Sequence, residues 1–359
     1  MLTLHQTFLD IGMILDDESD KSILEKKLCS TNYDFDNLVI IGSQHLVLPT
    51  IYCKLHKWNL IHFLPEELAT YLEKLTTINR NRNKTILSEI KSISAKFLND
   101  GITYSFLKGS ALLVGGYYED IGERMIGDID VLVSKDQLQQ AQNLLLNNNY
   151  IESDFTIGDK YFEQKHLPRL IPKNKLCAVE IHQKLLHKKI SKQLSSEDYL
   201  NHSKKIDNIS IGASHDLFYH SVMNFQINDY GHLYNFLGLR SAYDTLLLRK
   251  KLNSESYNKL LSIDYIKNLA YKMSLYFIPF KDEQKNISSS LSFISFKNKQ
   301  KYKWYRKICY WVNKLNHFFL IILNRIYHFV FNSSYRKDII KDRKRIISIL
   351  RNGSKHHHK

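Results

Sequence analysis

One segment constrains the fold of this 359-residue chain more than any other: residues 107–133, with the sequence LKGSALLVGGYYEDIGERMIGDIDVLV. A Gly-Ser pair follows one apolar run, and an Asp-Ile-Asp triplet begins the next. Because alternate side chains of a strand point to the same face, Asp128 and Asp130 should project together while Ile129 points into a core. Two adjacent carboxylates repel each other unless a cation neutralises them. The triplet therefore predicts a divalent-metal site, with Mg²⁺ (or Mn²⁺) as the expected ion and phosphate groups as its partners.

The periodicity around this segment predicts strands alternating with helices. We expect strands at residues 102–107 and 127–133, and helices at 110–118 and 135–146, the second capped by Ser134. Two more extended segments, 161–171 and 175–185, are separated by a turn at 172–174. The pattern predicts an α+β fold with a small mixed β-sheet core.

Helical regions flank this core on both sides. The longest predicted helix begins near Pro65 and ends at the Asn-Asp-Gly sequence of residues 99–101. Its apolar stripe consists of Leu68, Leu72, Leu75, Ile78, Ile86, Ile90, Ile93 and Phe97. The polar sequence INRNRNK at residues 78–84 is interpreted as a solvated helix face, with a phosphate contact by Arg80 or Arg82 as the alternative. After residue 190 we expect helices at 214–225, with Ser214 as its cap, and at 236–250.

These patterns divide the chain into four regions. Residues 1–100 form an N-terminal helical region and residues 101–190 the catalytic core. Residues 191–279 form a helical domain, and residues 280–359 a C-terminal appendage that is basic and rich in aromatic residues.

The candidate site combines residues from several predicted elements. At the end of the first strand, Lys108, Gly109 and Ser110 form a turn where backbone N–H groups can approach a phosphate. Glu180 supplies a third carboxylate, so that Asp128, Asp130 and Glu180 become the predicted metal ligands and catalytic residues. Lys108 and Arg124 are expected to neutralise phosphate charge. His182 shares a strand face with Glu180, and it either orients a ligand or satisfies a hydrogen bond in the core.

The net charge of +15 lies entirely in the C-terminal appendage, which has 19 Lys and Arg against four acidic residues. This charge predicts a polyanionic partner, either an anionic membrane surface or a nucleic acid. Residues 308–331 are too polar to span a bilayer. They could lie in a membrane interface as a basic amphipathic helix. Alternatively, their apolar stripe could pack on the protein.

Cysteine usage bears on the compartment. The four cysteines, Cys29, Cys53, Cys177 and Cys309, are far apart and form no CxxC pair. We therefore expect a reducing cytoplasm and no disulfide-linked partner. The basic appendage adds the expectation of peripheral contact with the inner membrane.

Several motifs together resemble one family. The Leu-Lys-Gly-Ser turn, the Asp-Ile-Asp-Val-Leu-Val strand and the later Glu180-Ile181-His182 sequence are similar to uncharacterised bacterial nucleotidyltransferases of the DNA polymerase beta superfamily. The resemblance covers roughly residues 40 to 250 and includes a late aspartate, Asp244. The chain departs from the superfamily at large in the longer separation of 18 positions from Ser110 to Asp128, and in glutamate as the third acid.

The resemblance and the site together favour one function among three. The first is Mg²⁺-dependent transfer of NMP from an NTP, with ATP expected, to a hydroxyl or phosphate of an unidentified acceptor in envelope-polysaccharide or natural-product biosynthesis. The second is a toxin-like nucleotidyltransferase that modifies RNA and holds it with the basic appendage. The third is a non-catalytic nucleotide-binding or scaffold protein.

Overall fold

The structure, a computed structural model, describes residues 3–153, 161–162, 164–173, 176–186, 194–286, 290–344 and 346–347. Parts of the predicted segments 161–171 and 175–185, residue 174 of the predicted turn, and the end of the appendage lie outside the described residues.

Within these residues, seven strands form one mixed sheet in the order β3-β4-β5-β2-β1-β7-β6. The central strands β2 and β5 are parallel, as are β1 and β7, and the other neighbours are antiparallel. The strands are β1 (Tyr104–Phe106), β2 (Ile129–Val133), β3 (Tyr150–Glu152), β4 (Leu170–Pro172), β5 (Val179–His182), β6 (Lys204–Ile206) and β7 (Ile209–Ile211).

Helices precede and follow the strands along the chain. The first seven are α1 (Leu4–Leu15), α2 (Lys21–Leu28), α3 (Phe35–Gln44), α4 (Leu48–Lys57), α5 (Glu66–Asn99), α6 (Lys108–Val114) and α7 (Leu138–Leu146). The next five are α8 (Ser196–Asn201), α9 (Ser214–Met223), α10 (Leu239–Arg249), α11 (Ser254–Leu261) and α12 (Asp264–Met273). The appendage forms α13 (Leu291–Lys301), α14 (Lys303–Phe331) and α15 (Ser333–Lys341).

The fold class predicted from the sequence is confirmed, because a mixed sheet is flanked by helices at both ends of the chain. The sequence missed the β6–β7 hairpin, which adds to the sheet beside β1. Short strands such as these give little periodic signal. The division of the chain into four regions stays a prediction.

Neither of the two predicted serine caps makes a capping hydrogen bond. The Ser134 hydroxyl donates to Asp136 Oδ1 at 2.5 Å instead of accepting from the helix backbone, and a short 3₁₀ turn precedes α7. The N-cap of α9 is Ala213, and the Ser214 hydroxyl lies 3.0 Å from the Tyr117 hydroxyl. In both cases a nearby polar side chain competes with the backbone for the serine.

Helix α5 continues its buried stripe through the polar segment. The inward positions after Leu72 are Thr76, Asn79, Asn83, Ile86, Ile90, Ile93 and Phe97, at three- and four-residue spacing. Ile78, predicted in the stripe, is 67% exposed. The interpretation of residues 78–84 as a solvated face is therefore wrong at the inward positions.

The reason lies in the loop that precedes β2. Asn79 donates to the carbonyl oxygens of Gly122 (2.6 Å) and Arg124 (3.2 Å). Asn83 donates to those of Ile121 (2.5 Å) and Arg124 (2.8 Å). Buried carbonyl groups need donors, so two asparagines replace apolar residues where α5 faces this loop.

Helix α14 contradicts the expectation that the apolar stripe of the appendage packs on the protein. None of its 29 residues is buried. Among the helices that the structure describes, none is long and apolar enough to cross a membrane.

Candidate active site

The centre of the site is a pair of carboxylates on neighbouring parallel strands. Asp130 of β2 lies directly opposite Glu180 of β5. His182 follows two residues later on β5 and faces the same side of the sheet. Its Nε2 donates to Asp130 Oδ1 at 2.8 Å and lies 3.6 Å from Glu180 Oε2. One ligand atom from each of these three residues lies within 4.8 Å of the others.

The donor set of this cluster suits a divalent cation. Carboxylate oxygens are the ligands that Mg²⁺ prefers, and imidazole nitrogen is a common ligand of transition metals. Asp130 and His182 are buried, while Glu180 is partly exposed and leaves the cluster open on one side. The cluster could hold a divalent cation, and it contains two of the three predicted carboxylate ligands together with His182.

The first residue of α6, directly after β1, brings a cation to this cluster. Lys108 has a φ of 50°, a left-handed conformation that is uncommon outside glycine. Its ammonium nitrogen lies 2.5 Å from Asp130 Oδ1. Burial lowers the pKa of Lys108, but Asp130 raises it by more, so the net pKa lies above its usual value. Gly109 lines the pocket beside this ammonium, and the buried Ser110 hydroxyl lies 3.5 Å from the Asp128 carbonyl oxygen.

Both central carboxylates are held in the ionised form. Burial raises the pKa of Asp130, but Lys108 and His182 lower it by more, and it lies well below its usual range. Burial also raises the pKa of Glu180, yet His182, His166 and Lys108 lower it to about 2. Two like charges this close persist only because cations surround them.

Asp128 lies just before β2, outside this tight cluster. Arg169 joins it to the cluster, with Nη2 at 2.6 Å from Asp128 Oδ2 and 3.1 Å from Glu180 Oε1. Burial raises the pKa of Asp128, and Arg169 offsets part of that increase. The structure thus brings the three predicted carboxylates to one place, with Asp128 connected through a cation instead of by direct proximity. Their role as metal ligands stays a prediction.

Arg124, predicted to bind phosphate, already has a buried partner. Its Nε and Nη2 donate to both oxygens of Asp244 at 2.9–3.0 Å, and its Nη1 donates to the Met125 carbonyl. Tyr118 donates to the same carboxylate at 2.9 Å. Arg124 therefore positions the pocket wall, because its guanidinium is hydrogen-bonded to Asp244 of α10. Its contact with phosphate stays a prediction.

A pocket of about 220 Å³ opens beside the carboxylates. Helices α9 and α10 and the residues after α9 form its far wall. Its lining residues are Lys108, Gly109, Arg124, Ile126, Gly127, Asp128, Asp130, Ser221, Asn224, Asp229, Arg240, Ser241 and Asp244. Arg80 and Arg82, the alternative phosphate contacts, are absent from this lining: Arg80 pairs with Asp120 at 2.7 Å, and Arg82 donates to the Gly127 carbonyl at 3.3 Å.

Arg240 is one of several residues of this pocket that the sequence motifs did not indicate. It is partly buried, and burial and then Arg124 lower its pKa. Within the described part of the chain, its guanidinium forms no hydrogen bond or ion pair. Arg240 and Asp244 are four residues apart on α10, a spacing that places both on one helix face. The spacing of four residues from Asp244 is the signal in the sequence that points to Arg240.

A larger cavity of about 610 Å³ adjoins the site and shares Asp229 with it. Its walls come from α1, α3, residues 234–237, α13 and α14. Apolar and aromatic side chains such as Phe8, Ile41 and Phe236 line it, together with Lys299 and Arg306.

A known protein family matches this part of the chain. The sequence model of a protein family described as uncharacterised nucleotidyltransferase matches residues 31–264. The matched region contains the whole sheet and every residue that lines the smaller pocket. No curated protein shows significant similarity to the chain.

Proposed function

Because the match covers more than half of its length, the chain belongs to the uncharacterised nucleotidyltransferase family, and we propose that it transfers NMP from an NTP to an acceptor. The acceptor group is a hydroxyl or a phosphate, and ATP is the expected donor. The observation that supports this most directly is the register of Asp130 with Glu180, because Asp130 also lines one pocket together with Asp128, Lys108 and Gly109.

Each residue of the site has a proposed role. Asp130 and Glu180, with Asp128 beside them, would hold Mg²⁺. When bound, this ion would neutralise phosphate charge and lower the pKa of the attacking hydroxyl. Lys108, now paired with Asp130, and Arg240, which has no ion-pair partner among the described residues, would bind the triphosphate.

The reaction forms one P–O bond and breaks another. The acceptor oxygen attacks the α-phosphorus, the bond between that phosphorus and the α–β bridging oxygen breaks, and pyrophosphate leaves. The proton of the acceptor hydroxyl would pass to Glu180 or Asp130. We propose that the acceptor approaches from the larger apolar cavity, because this cavity shares Asp229 with the smaller pocket.

The experiment that tests this function is a thermal-shift panel of the four NTPs with Mg²⁺, on the wild type and on Asp128→Asn/Asp130→Asn. An NTP at roughly 100 times its Kd adds about 2.7 kcal/mol to the free energy of unfolding, which is measurable as a shift in Tm. We expect one NTP to stabilise the wild type and not the double variant. Asp282→Asn, with a side chain that is 91% exposed, is the control and should respond like the wild type.

A second assay tests transfer itself. Release of pyrophosphate from the stabilising NTP should depend on Mg²⁺ and on Asp130. A folded protein that no NTP stabilises would contradict the proposal and favour a scaffold role. Pyrophosphate release that requires added RNA would favour the RNA-modifying alternative.

A further inference from the structure

Helix α14 is oriented in the opposite way to an amphipathic helix of a globular protein. On its side nearest the body, Arg306 donates to the Lys299 carbonyl at 2.7 Å and Asn313 donates to the Leu233 carbonyl at 2.9 Å. The His317 ring lies 4.4 Å from the Tyr230 ring. At about 100° per residue, these three positions of α14 fall within about 40° of one another. The polar side of the helix therefore faces the protein.

The apolar side faces away from the protein. Trp304, Trp311, Leu315, Phe318, Phe319 and Ile326 are each more than half exposed. They occupy an arc of about 100° on the opposite side of the helix from Arg306 and Asn313. A soluble protein rarely leaves such a continuous apolar surface in water, so a partner is expected to cover it.

The charge beside this face indicates the chemistry of that partner. Lys303, Lys307 and Lys314 form a row within about 40° of one another, along one edge of the apolar arc. The Lys314 ammonium lies 5.0 Å from the centre of the Trp311 ring. No Asp or Glu occurs between residues 284 and 337. The partner should therefore be apolar in its interior and anionic at its surface.

We propose that α14 binds the surface of an anionic membrane, with its axis along the interface. Its 29 residues give a length of about 43 Å. The apolar arc would enter the boundary between headgroups and acyl chains, the row of bases would contact anionic headgroups, and Trp304 and Trp311 would lie at the interface. A second copy of the chain is a poorer partner, because two such helices would bring bases together without acids. RNA would leave Leu315 and Ile326 uncovered.

The site of attachment places this membrane surface near the candidate active site. Tyr230, which contacts His317 of α14, directly follows Asp229 in the chain. Asp229 lines the smaller pocket. The helix is thus anchored at one wall of the pocket, although the proposed membrane contact does not depend on nucleotide transfer.

The test uses the tryptophans of α14 as reporters. The chain has three tryptophans, so Trp58→Phe leaves Trp304 and Trp311 alone. Vesicles of phosphatidylcholine with roughly one third phosphatidylserine should shift the tryptophan fluorescence to shorter wavelength. Brominated acyl chains in these vesicles should quench this fluorescence. Vesicles of pure phosphatidylcholine should bind much more weakly. Added salt should weaken the binding to the anionic vesicles.

Two variants in the full chain separate the apolar face from the bases. Leu315→Glu/Phe319→Glu should abolish co-sedimentation with anionic vesicles. The matched control is Tyr71→Glu/Ile78→Glu, which adds the same charge at exposed positions of α5 and should bind like the wild type. Lys307→Gln/Lys314→Gln should weaken binding roughly 30-fold, since each base near an anionic surface raises the affinity about fivefold. Circular dichroism verifies that each variant is folded.

Three results would overturn the proposal. The first is a folded wild type that does not bind anionic vesicles at low salt. The second is RNA retention that the lysine variant loses while vesicles do not bind. The third is a stable dimer without lipid that the Leu315→Glu/Phe319→Glu variant dissociates.

Discussion

Asp130 and Glu180 lie directly opposite each other on the parallel strands β2 and β5. The Nε2 atom of His182 lies between their carboxylates, 2.8 Å from Asp130 Oδ1 and 3.6 Å from Glu180 Oε2. This arrangement concentrates two negative charges at the centre of the sheet. Lys108 and Arg169 compensate them from two different segments of the chain.

The first prediction concerns these carboxylates. Asp130→Asn should lower the rate of nucleotidyl transfer at least roughly 100-fold. Even the loss of a residue that only hydrogen-bonds to a metal ligand typically costs 10–100-fold in affinity or activity. Glu180→Gln should lower it as well. Pyrophosphate release at saturating Mg²⁺ and NTP measures the effect, and the exposed-site variant Asp282→Asn is the control. Wild-type activity in Asp130→Asn would rule out the metal role.

Arg240 should bind the phosphates of the NTP. Arg240→Ala removes a charged donor from the pocket without breaking an ion pair in the described part of the chain. We expect KM for the NTP to rise about 10- to 100-fold, as for the loss of a charge-assisted hydrogen bond of about 1.5–3 kcal/mol, with little change in Tm. Lys251→Ala, at an exposed position just after α10, should leave KM unchanged. A normal KM in Arg240→Ala would place the phosphates elsewhere.

The buried Arg124–Asp244 pair should stabilise the wall of the pocket. Asp244→Ala leaves the Arg124 guanidinium buried without its carboxylate, and such a loss lowers the free energy of unfolding by about 3–5 kcal/mol. Urea denaturation measures this change. The double variant Arg124→Met/Asp244→Leu should recover much of the loss, because it removes both charges. If Asp244→Ala alone has no effect, the pair does not hold the wall.

The two asparagines of α5 should hold the loop that precedes β2. Asn83→Ala removes donors to the carbonyls of Ile121 and Arg124, and we expect a loss of about 1–3 kcal/mol in the free energy of unfolding. Asn81→Ala is the matched control, because Asn81 is exposed on the same helix. Equal stability of the two variants would contradict the role of Asn83.

The pKa of Glu180 predicts how stability depends on pH. Its folded-state pKa of about 2 lies below the unfolded value of roughly 4.3, so its contribution is complete above that unfolded value. The contribution is lost as pH falls from about 4 towards 2. Asp130, whose pKa also lies below its usual range, acts in the same direction.

Urea midpoints of the wild type and Glu180→Gln, measured from pH 7 down to pH 3, check this prediction. The difference between the two proteins should be constant above about pH 5 and shrink below about pH 4. Glu255→Gln, at an exposed position of α11, should follow the wild type at every pH. A difference that grows on acidification would have the wrong sign.

Features that repeat within one element were predictable from the order of the amino acids. The three- and four-residue spacing of α5 identified its buried positions from Ile86 to Phe97, and the alternation around Ile129 identified β2. The Gly-Ser turn, the Asp-Ile-Asp triplet and the Glu-Ile-His sequence indicated the family and the place of the site. These patterns are local, because a helix or strand repeats its environment at a fixed period.

Which groups face each other follows from the packing of distant segments and was not predictable. In the folded protein, Asp130 lies opposite Glu180, and Arg124 forms an ion pair with Asp244, which is 120 positions away in the chain. Arg240 lines the pocket. The packing also places Asn79 and Asn83 inward and turns the apolar face of α14 outward. Periodicity shows that a helix has two different sides, but the element against which it packs decides which side is buried. That choice depends on contacts between distant segments, which no local pattern records.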